Sequence, residues 1–213
     1  MSQFRYILII LISISIVSHT ISSYADEEIE DLIDLIETES KIIAVIEGRK
    51  SISFDLRSEE KVIWNGSRGD LGAVLTNIHF SVISVTSNAW RSLPLNLSES
   101  EKGSASLSPY LALLVTEDRA IGFDATSNRF IETQLSNHDD LIAAKVDKYV
   151  AVVVTSNRAY GLASEASSFS EVRLRNKETI ESVKVTASKA TVRTSDRLLT
   201  FEATGNLWNE HSL

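Results

Sequence analysis

"LLVTEDRAIGFDATSNRFIETQL" (Leu113–Leu135) is followed thirty-nine residues later by "VVVTSNRAYGLASEASSFSEVRL" (Val152–Leu174). Self-similarity at a fixed period is the signature of a repeat architecture. Four segments superpose without gaps: Thr76 to Leu95, Thr116 to Leu135, Thr155 to Leu174 and Thr194 to Leu213, at steps of 40, 39 and 39 residues. Three places after each Thr stands a basic residue (His79, Arg119, Arg158, Arg197). Seven places after it stands an apolar one (Ile83, Phe123, Leu162, Phe201), and fourteen places after it an aromatic (Trp90, Phe130, Phe169, Trp208).

A degraded fifth copy lies upstream in "KIIAVIEGRKSISFDLRSEEKVIWNGS". Glu47 takes the Thr place there, Lys50 the basic place, Phe54 the apolar place and Trp64 the aromatic place. On that reading the step to Thr76 is 29 residues, short by about one strand. Copies are expected near residues 29–67, 68–95, 96–135, 136–174 and 175–213.

Within a copy, four segments of five to eight residues rich in Val, Ile, Leu and aromatics are bounded by Asn, Asp, Ser or Gly, as strands are. "VAVVV" (Val150–Val154) is continuously apolar, which marks a strand covered on both faces. The "TEDR", "TSNR", "TSDR" and "TGNL" turns supply residues that tolerate tight hairpins. Each copy therefore reads as an antiparallel meander of four strands that must stack on its neighbours. "EEIEDLIDLIETES", before the first copy, is read as a strand by its register against Ile180 and Val183.

Four-stranded units of this length are the blades of a β-propeller. A β-trefoil takes three units, and a linear β-solenoid has shorter coils. The expected fold is all-β, a propeller of five four-stranded blades with one blade degenerate, closed by contact between the first and last copies. The chain resembles a bacterial β-propeller built of short repeats, from about residue 29 to 213. It has no WD dipeptide, Kelch glycine pair or Asp-box, so the resemblance implies architecture and carries no family active-site residues.

The N-terminus sets the expected location. "MSQFRYILIILISISIVSHTISSYA" carries one basic residue (Arg5), an apolar run from Tyr6 to Val17 and a small-residue exit, the pattern of a cleavable secretory signal over residues 1–25. Those twelve residues are too few to span a bilayer. A secreted or periplasmic domain over 26–213 follows, with no membrane attachment after cleavage. Removing the signal leaves 20 basic against 29 acidic residues, a charge of −9, which disfavours nucleic acid as a partner. The chain has no Cys, so disulfides and thiolate metal sites are excluded. No cofactor or metal is expected, and the protein is expected to be a monomer.

The candidate ligand-binding residues are the basic column, Lys50, His79, Arg119, Arg158 and Arg197. Sharing one face, they could seat a carboxylate, sulfate or phosphate. The competing reading ties each one to acids or carbonyls of its own turn, since Asp118 and Asp196 stand beside Arg119 and Arg197. The aromatic column suggests sugar platforms or, more simply, packing between blades. "NHDD" (Asn137–Asp140) places a His beside two carboxylates without evident metal partners. Asp34, Glu37, Asp147 and Glu181 are acids expected on innermost strands, where a propeller glycosidase would need them. The sequence points to a non-catalytic propeller binding a protein or other ligand on one face. A lectin-like propeller and a polysaccharide-acting enzyme are the alternatives.

Overall fold

The computed structural model describes residues 29–49, 51–136 and 139–213. Its architecture is a β-propeller stack of five antiparallel meanders in chain order. The first sheet is β1 (Ile33–Glu37), β2 (Lys41–Ile46) and β3 (Ile52–Asp55); the second is β4 (Val62–Arg68), β5 (Leu71–Thr76), β6 (His79–Ser84) and β7 (Arg91–Pro94). A short helix, α1 (Leu97–Lys102), leads into the third, β8 (Ser104–Leu107), β9 (Leu111–Val115), β10 (Arg119–Asp124) and β11 (Arg129–Gln134). The fourth is β12 (Leu141–Asp147), β13 (Val150–Thr155), β14 (Arg158–Ala163) and β15 (Ser170–Arg173). The fifth is β16 (Ile180–Thr186), β17 (Lys189–Thr194), β18 (Arg197–Glu202) and β19 (Leu207–Ser212).

The repeat Thr closes each hairpin between the second and third strands. Its hydroxyl oxygen accepts the N–H three residues on, at 3.1 Å for Thr116 and Thr155 and 3.0 Å for Thr194, and Thr116 gives its proton to that residue's carbonyl at 3.0 Å, while Thr194 gives its own to a carboxylate. A side chain thus replaces the positive-φ geometry expected of these turns, and none of the residues between Thr and Arg adopts it. Positive φ is used in the hairpins between the third and fourth strands, at Asn128 and Asn206 (both 52°).

The same bonding corrects the register of the first copy. Thr38 Oγ1 donates to the Lys41 carbonyl at 2.8 Å and accepts the Lys41 N–H at 3.1 Å. Leu95, Leu135, Leu174 and Leu213 each donate N–H to the carbonyl two residues after their Thr, and Leu56 donates likewise to Ser40 at 2.9 Å. Thr38 and Lys41 therefore hold the Thr and basic places assigned to Glu47 and Lys50, and the step to Thr76 becomes 38 residues. Lys50 lies outside the described residues. The first copy is one residue shorter from Thr to Leu, and Ser51 stands in its aromatic place, which hid the alignment.

Two corrections follow. β4 pairs with β5, so residues 62–67 belong to the second sheet, and Trp64 lies on its first strand instead of in the aromatic column. β1 and β2 form the Thr38 hairpin, so among the described residues the three-stranded first sheet has no counterpart of the strand that begins every other sheet. Asp34 and Glu37, on β1, accordingly stand on a second strand.

Four apolar clusters lie between successive sheets, first to second, second to third, third to fourth and fourth to fifth. The second strands of the middle three sheets are buried along their whole length, while β2 and β17 alternate. Among the described residues no apolar cluster, hydrogen bond or ion pair joins the first sheet to the fifth, so the expected closing contact is not made. The end faces also differ. Val150, Val152 and Val154 face the fifth sheet, whereas the equivalent positions of the fifth sheet are Lys189, Thr191 and Arg193, which face water. The expectation of two apolar faces on every blade therefore fails at the C-terminal end.

Close approach of the middle sheets requires Gly. A Cβ at Gly161 would lie 2.5–2.6 Å from the Phe201 ring of the next sheet, and one at Gly122 would lie 2.2 Å from Leu162 Cδ2. The equivalent residue of the fifth sheet is Thr200, itself buried (5% exposed). Gly161→Val is expected to lower unfolding free energy by about 1–3 kcal/mol, read by urea denaturation.

Candidate functional site

The described members of the basic column, His79, Arg119, Arg158 and Arg197, all lie at the Thr-hairpin ends of their sheets, and their polar groups are engaged. Each loop leading into a sheet carries an acid four residues after the repeat Leu: Glu60, Glu99, Asp139 and Glu178. These acids are the column that the sequence reading missed. Glu178 shows the arrangement best. Its carboxylate accepts the Arg175 N–H at 2.5 Å and the Thr194 hydroxyl at 2.5 Å, and both Nε (2.9 Å) and Nη2 (3.0 Å) of Arg197 donate to it. Arg197 also pairs with Glu210 on β19 and donates to the Arg173 carbonyl of the preceding sheet at 2.7 Å. One guanidinium thereby joins a loop, two strands of its own sheet and the outer strand of the sheet before.

The other members repeat this with weaker parts. Arg119 contacts Glu99 at 2.5 Å, Glu132 at 2.5 Å and the Pro94 carbonyl at 3.2 Å. Glu99 also accepts the Asn96 N–H, which closes the capping box of α1. Arg158 is more open: Glu171 lies at 3.1 Å, but Asp139 is at 4.0 Å because its shorter side chain instead takes Asn157 Nδ2 at 2.7 Å. His79 Nδ1 lies 2.9 Å from Glu60, which also accepts the Thr76 hydroxyl at 2.6 Å. At the four described members of the column the free cations expected for an anion are thus replaced by acid–base ties in successive sheets.

Burial alone would raise the Glu178 carboxyl. Hydrogen bonds from Arg197, the Arg175 N–H and Thr194, with the charge of Arg197, outweigh it and lower the pKa to about 2. Glu60 and Glu99 are likewise held below the usual carboxylate range, against the same burial, by Thr76 and His79 and by Arg119.

The aromatic column lies between sheets. Trp90 Nε1 donates to the Ile52 carbonyl at 3.2 Å and Trp208 Nε1 to the Ser170 carbonyl at 3.1 Å, each on the outer strand of the preceding sheet. Phe130 packs on Phe80 and Phe123, with centroids 5.9 and 5.0 Å away. The four acids considered for hydrolysis are dispersed. Glu37 accepts Asn65 Nδ2 at 2.8 Å, Asp147 accepts the Lys148 N–H at 2.7 Å, and Glu181 pairs with Arg193 at 2.8 Å. Asn137 and His138 of "NHDD" lie outside the described residues, and no group of three metal-ligating side chains occurs among those described.

The hairpin face instead offers an acidic cleft of about 520 Å³ between the third and fourth sheets, lined by Glu117, Asp118, Asp139 and Asp140 and edged by Leu141. Lys102 is paired with Glu117 across its mouth, at 2.8 Å. β-Bulges at the starts of β4 and β12 turn one residue of each strand out of register on this face, and those residues, Ile63 (48% exposed) and Ile142 (50%), are large and apolar.

No family model and no curated protein matches the chain. Among solved structures it is similar to the N-terminal domain of Nup159 (11% identity, TM-score 0.35), covering 87% of this chain and 61% of that one. It is also similar to Hsv2 of Kluyveromyces lactis (8%, 0.38; 86% and 73%) and to PorZ, a bacterial surface component of the type-IX secretion system of Porphyromonas gingivalis (12%, 0.39; 84% and 26%). The chain thus spans about three fifths of the first and about a quarter of the last. Likeness at this level transfers no role.

Replacing the basic residues should reveal the grading of the ties. Arg197→Gln leaves Glu178 buried without its partner and is expected to cost about 3 kcal/mol, while Arg158→Gln, whose pairs are more exposed, is expected to cost under about 1 kcal/mol; equal losses in urea denaturation would contradict the geometry. Because the folded pKa of Glu178 lies below its ordinary 4.5, its contribution is complete above about pH 4.5 and is lost as pH falls toward about 2. Glu178→Gln is expected to lower the melting temperature at neutral pH and to flatten that acid-range dependence.

Proposed function

We propose that this protein is an exported, non-catalytic β-propeller of the bacterial short-repeat kind, binding a protein on its Thr-hairpin face. The observation that carries the reading is a cleft of four carboxylates on that face, edged by exposed Leu141 and followed on β12 by exposed Ile142. Large aliphatic side chains turned to solvent by bulges gain by being covered, and rim carboxylates select a basic partner surface. The repeated polar groups serve as internal ties, which leaves these non-repeated residues to define a specific surface.

Export is part of the proposal and rests on the signal-like residues 1–25. Mass spectrometry of the mature protein should find Asp26 at the N-terminus; retention of Met1–Ala25 in a membrane fraction would refute export. Binding is tested with a photo-crosslinking residue placed at Ile142 or, as a control, at Thr191 on the solvated face of the fifth sheet. A discrete protein adduct is expected at 142 only, and it should be lost with Asp140→Lys. Adducts at both positions, or at neither, would refute the assignment of this face.

A further inference from the structure

We propose that the open edge of β1 binds an extended, basic segment of another polypeptide by strand addition. Among the described residues the first sheet has no counterpart of the strand that in every other sheet pairs with the second: β4 with β5, β8 with β9, β12 with β13, β16 with β17. The hydrogen bonds Glu47 N–H to Leu32 O (3.0 Å) and Thr38 N–H to Lys41 O (2.9 Å) fix the alternation along β1. Asp34, Ile36 and Thr38, with the carbonyl of Leu32, turn their backbone groups to β2, so Ile33, Leu35 and Glu37 turn theirs to the other side. No strand pairs with them among the described residues. Such an edge is a template for an incoming strand.

The described lead-in to β1 does not fill the place. Asp31 accepts the Gly69 N–H at 2.6 Å and Leu32 donates to the Gly69 carbonyl at 3.0 Å, so residues 31–32 are tied to the β4–β5 turn of the second sheet. The outward face of the first sheet is also uncovered and keeps its apolar places, with Ile36 (51% exposed) and Val45 (38%) beside Ile43. It contrasts with the polar outer face of the fifth sheet.

Charge selects the occupant. Glu30, Asp31, Asp34, Glu37 and Glu39 surround the edge, with Lys41 the one cation between residues 29 and 41. A second copy pairing edge to edge would set these acids against each other, and like charges opposed across strands are unfavourable. A strand that places Lys or Arg opposite Asp34 and Glu37 and aliphatic side chains opposite Leu35 and Ile36 is complementary in both respects.

The test uses the chain beginning at Asp26 and an eight-residue fluorescein-labelled Lys/Val peptide whose central Lys-Val-Val-Lys can stand opposite Asp34, Leu35, Ile36 and Glu37, followed by fluorescence anisotropy. Binding is expected, with at least tenfold weaker binding of a Glu/Val peptide and of a Lys/Val peptide N-methylated on alternate residues. Leu35→Pro removes an edge-facing N–H without removing a β1–β2 bond and is expected to abolish binding; should that variant not fold, the N-methylated peptide makes the same test. Asp34→Lys with Glu37→Lys is expected to reverse the peptide preference. Equal binding of the Lys/Val and Glu/Val peptides, or unchanged binding to folded Leu35→Pro, would overturn the proposal. So would slow hydrogen exchange at Ile33, Leu35 and Glu37 in the protein alone, which would mean that its own residues occupy the edge. A peptide-free dimer dissociated by Leu35→Pro would overturn it in favour of a second copy.

Discussion

Each sheet from the second onward is fixed to the loop before it by a carboxylate withdrawn from water. An isolated buried carboxylate would cost several kcal/mol, so the four positions stand only because each receives donors from fixed directions. At Glu178 these come from a backbone N–H, a Thr hydroxyl and a guanidinium. The Thr that closes the hairpin and the Arg that begins the third strand are therefore needed together: the hydroxyl satisfies the turn and the acid, and the Arg carries the tie onward to the outer strand and to the preceding sheet.

The ties also account for the alternation of chemistry through the stack. Apolar contact between sheets is non-directional and would tolerate sliding. The polar ties and the Trp bonds to Ile52 and Ser170 give each interface a defined offset. Packing supplies the bulk of the association and hydrogen bonds supply its register, a division that lets Phe replace Trp at Phe130 and Phe169 while the spacing is kept.

Much of this was legible in the sequence because its signals are local. Thr76, Thr116, Thr155 and Thr194 mark the hairpins, and the apolar runs before them mark strands covered on both sides. The acid column was equally regular, at Leu56 to Glu60, Leu95 to Glu99, Leu135 to Asp139 and Leu174 to Glu178, but it sits in polar loops where an acid is ordinary. Its significance is the depth at which it lies, which sequence periodicity does not report. The first copy was misread because Glu47 to Lys50 imitates the Thr-turn spacing while one deleted residue and the loss of the aromatic obscure Thr38. Closure was misjudged because Lys189, Thr191 and Arg193 sit in a strand whose inward half, Ala190 and Val192, follows the pattern of the others.

The polar outer side of the fifth sheet bears on how such a chain can change length. A copy duplicated between the second and fourth sheets would bring two apolar sides, and with them the Gly that admits its neighbour, so the insertion would carry its own junctions. A copy appended after Leu213 would meet Lys189, Thr191, Arg193 and the bulk of Thr200, and would find no seat. Growth of this stack by unit duplication is thereby directed to its interior, because side chains of β17 and β18 make the outer side of the fifth sheet a poor seat.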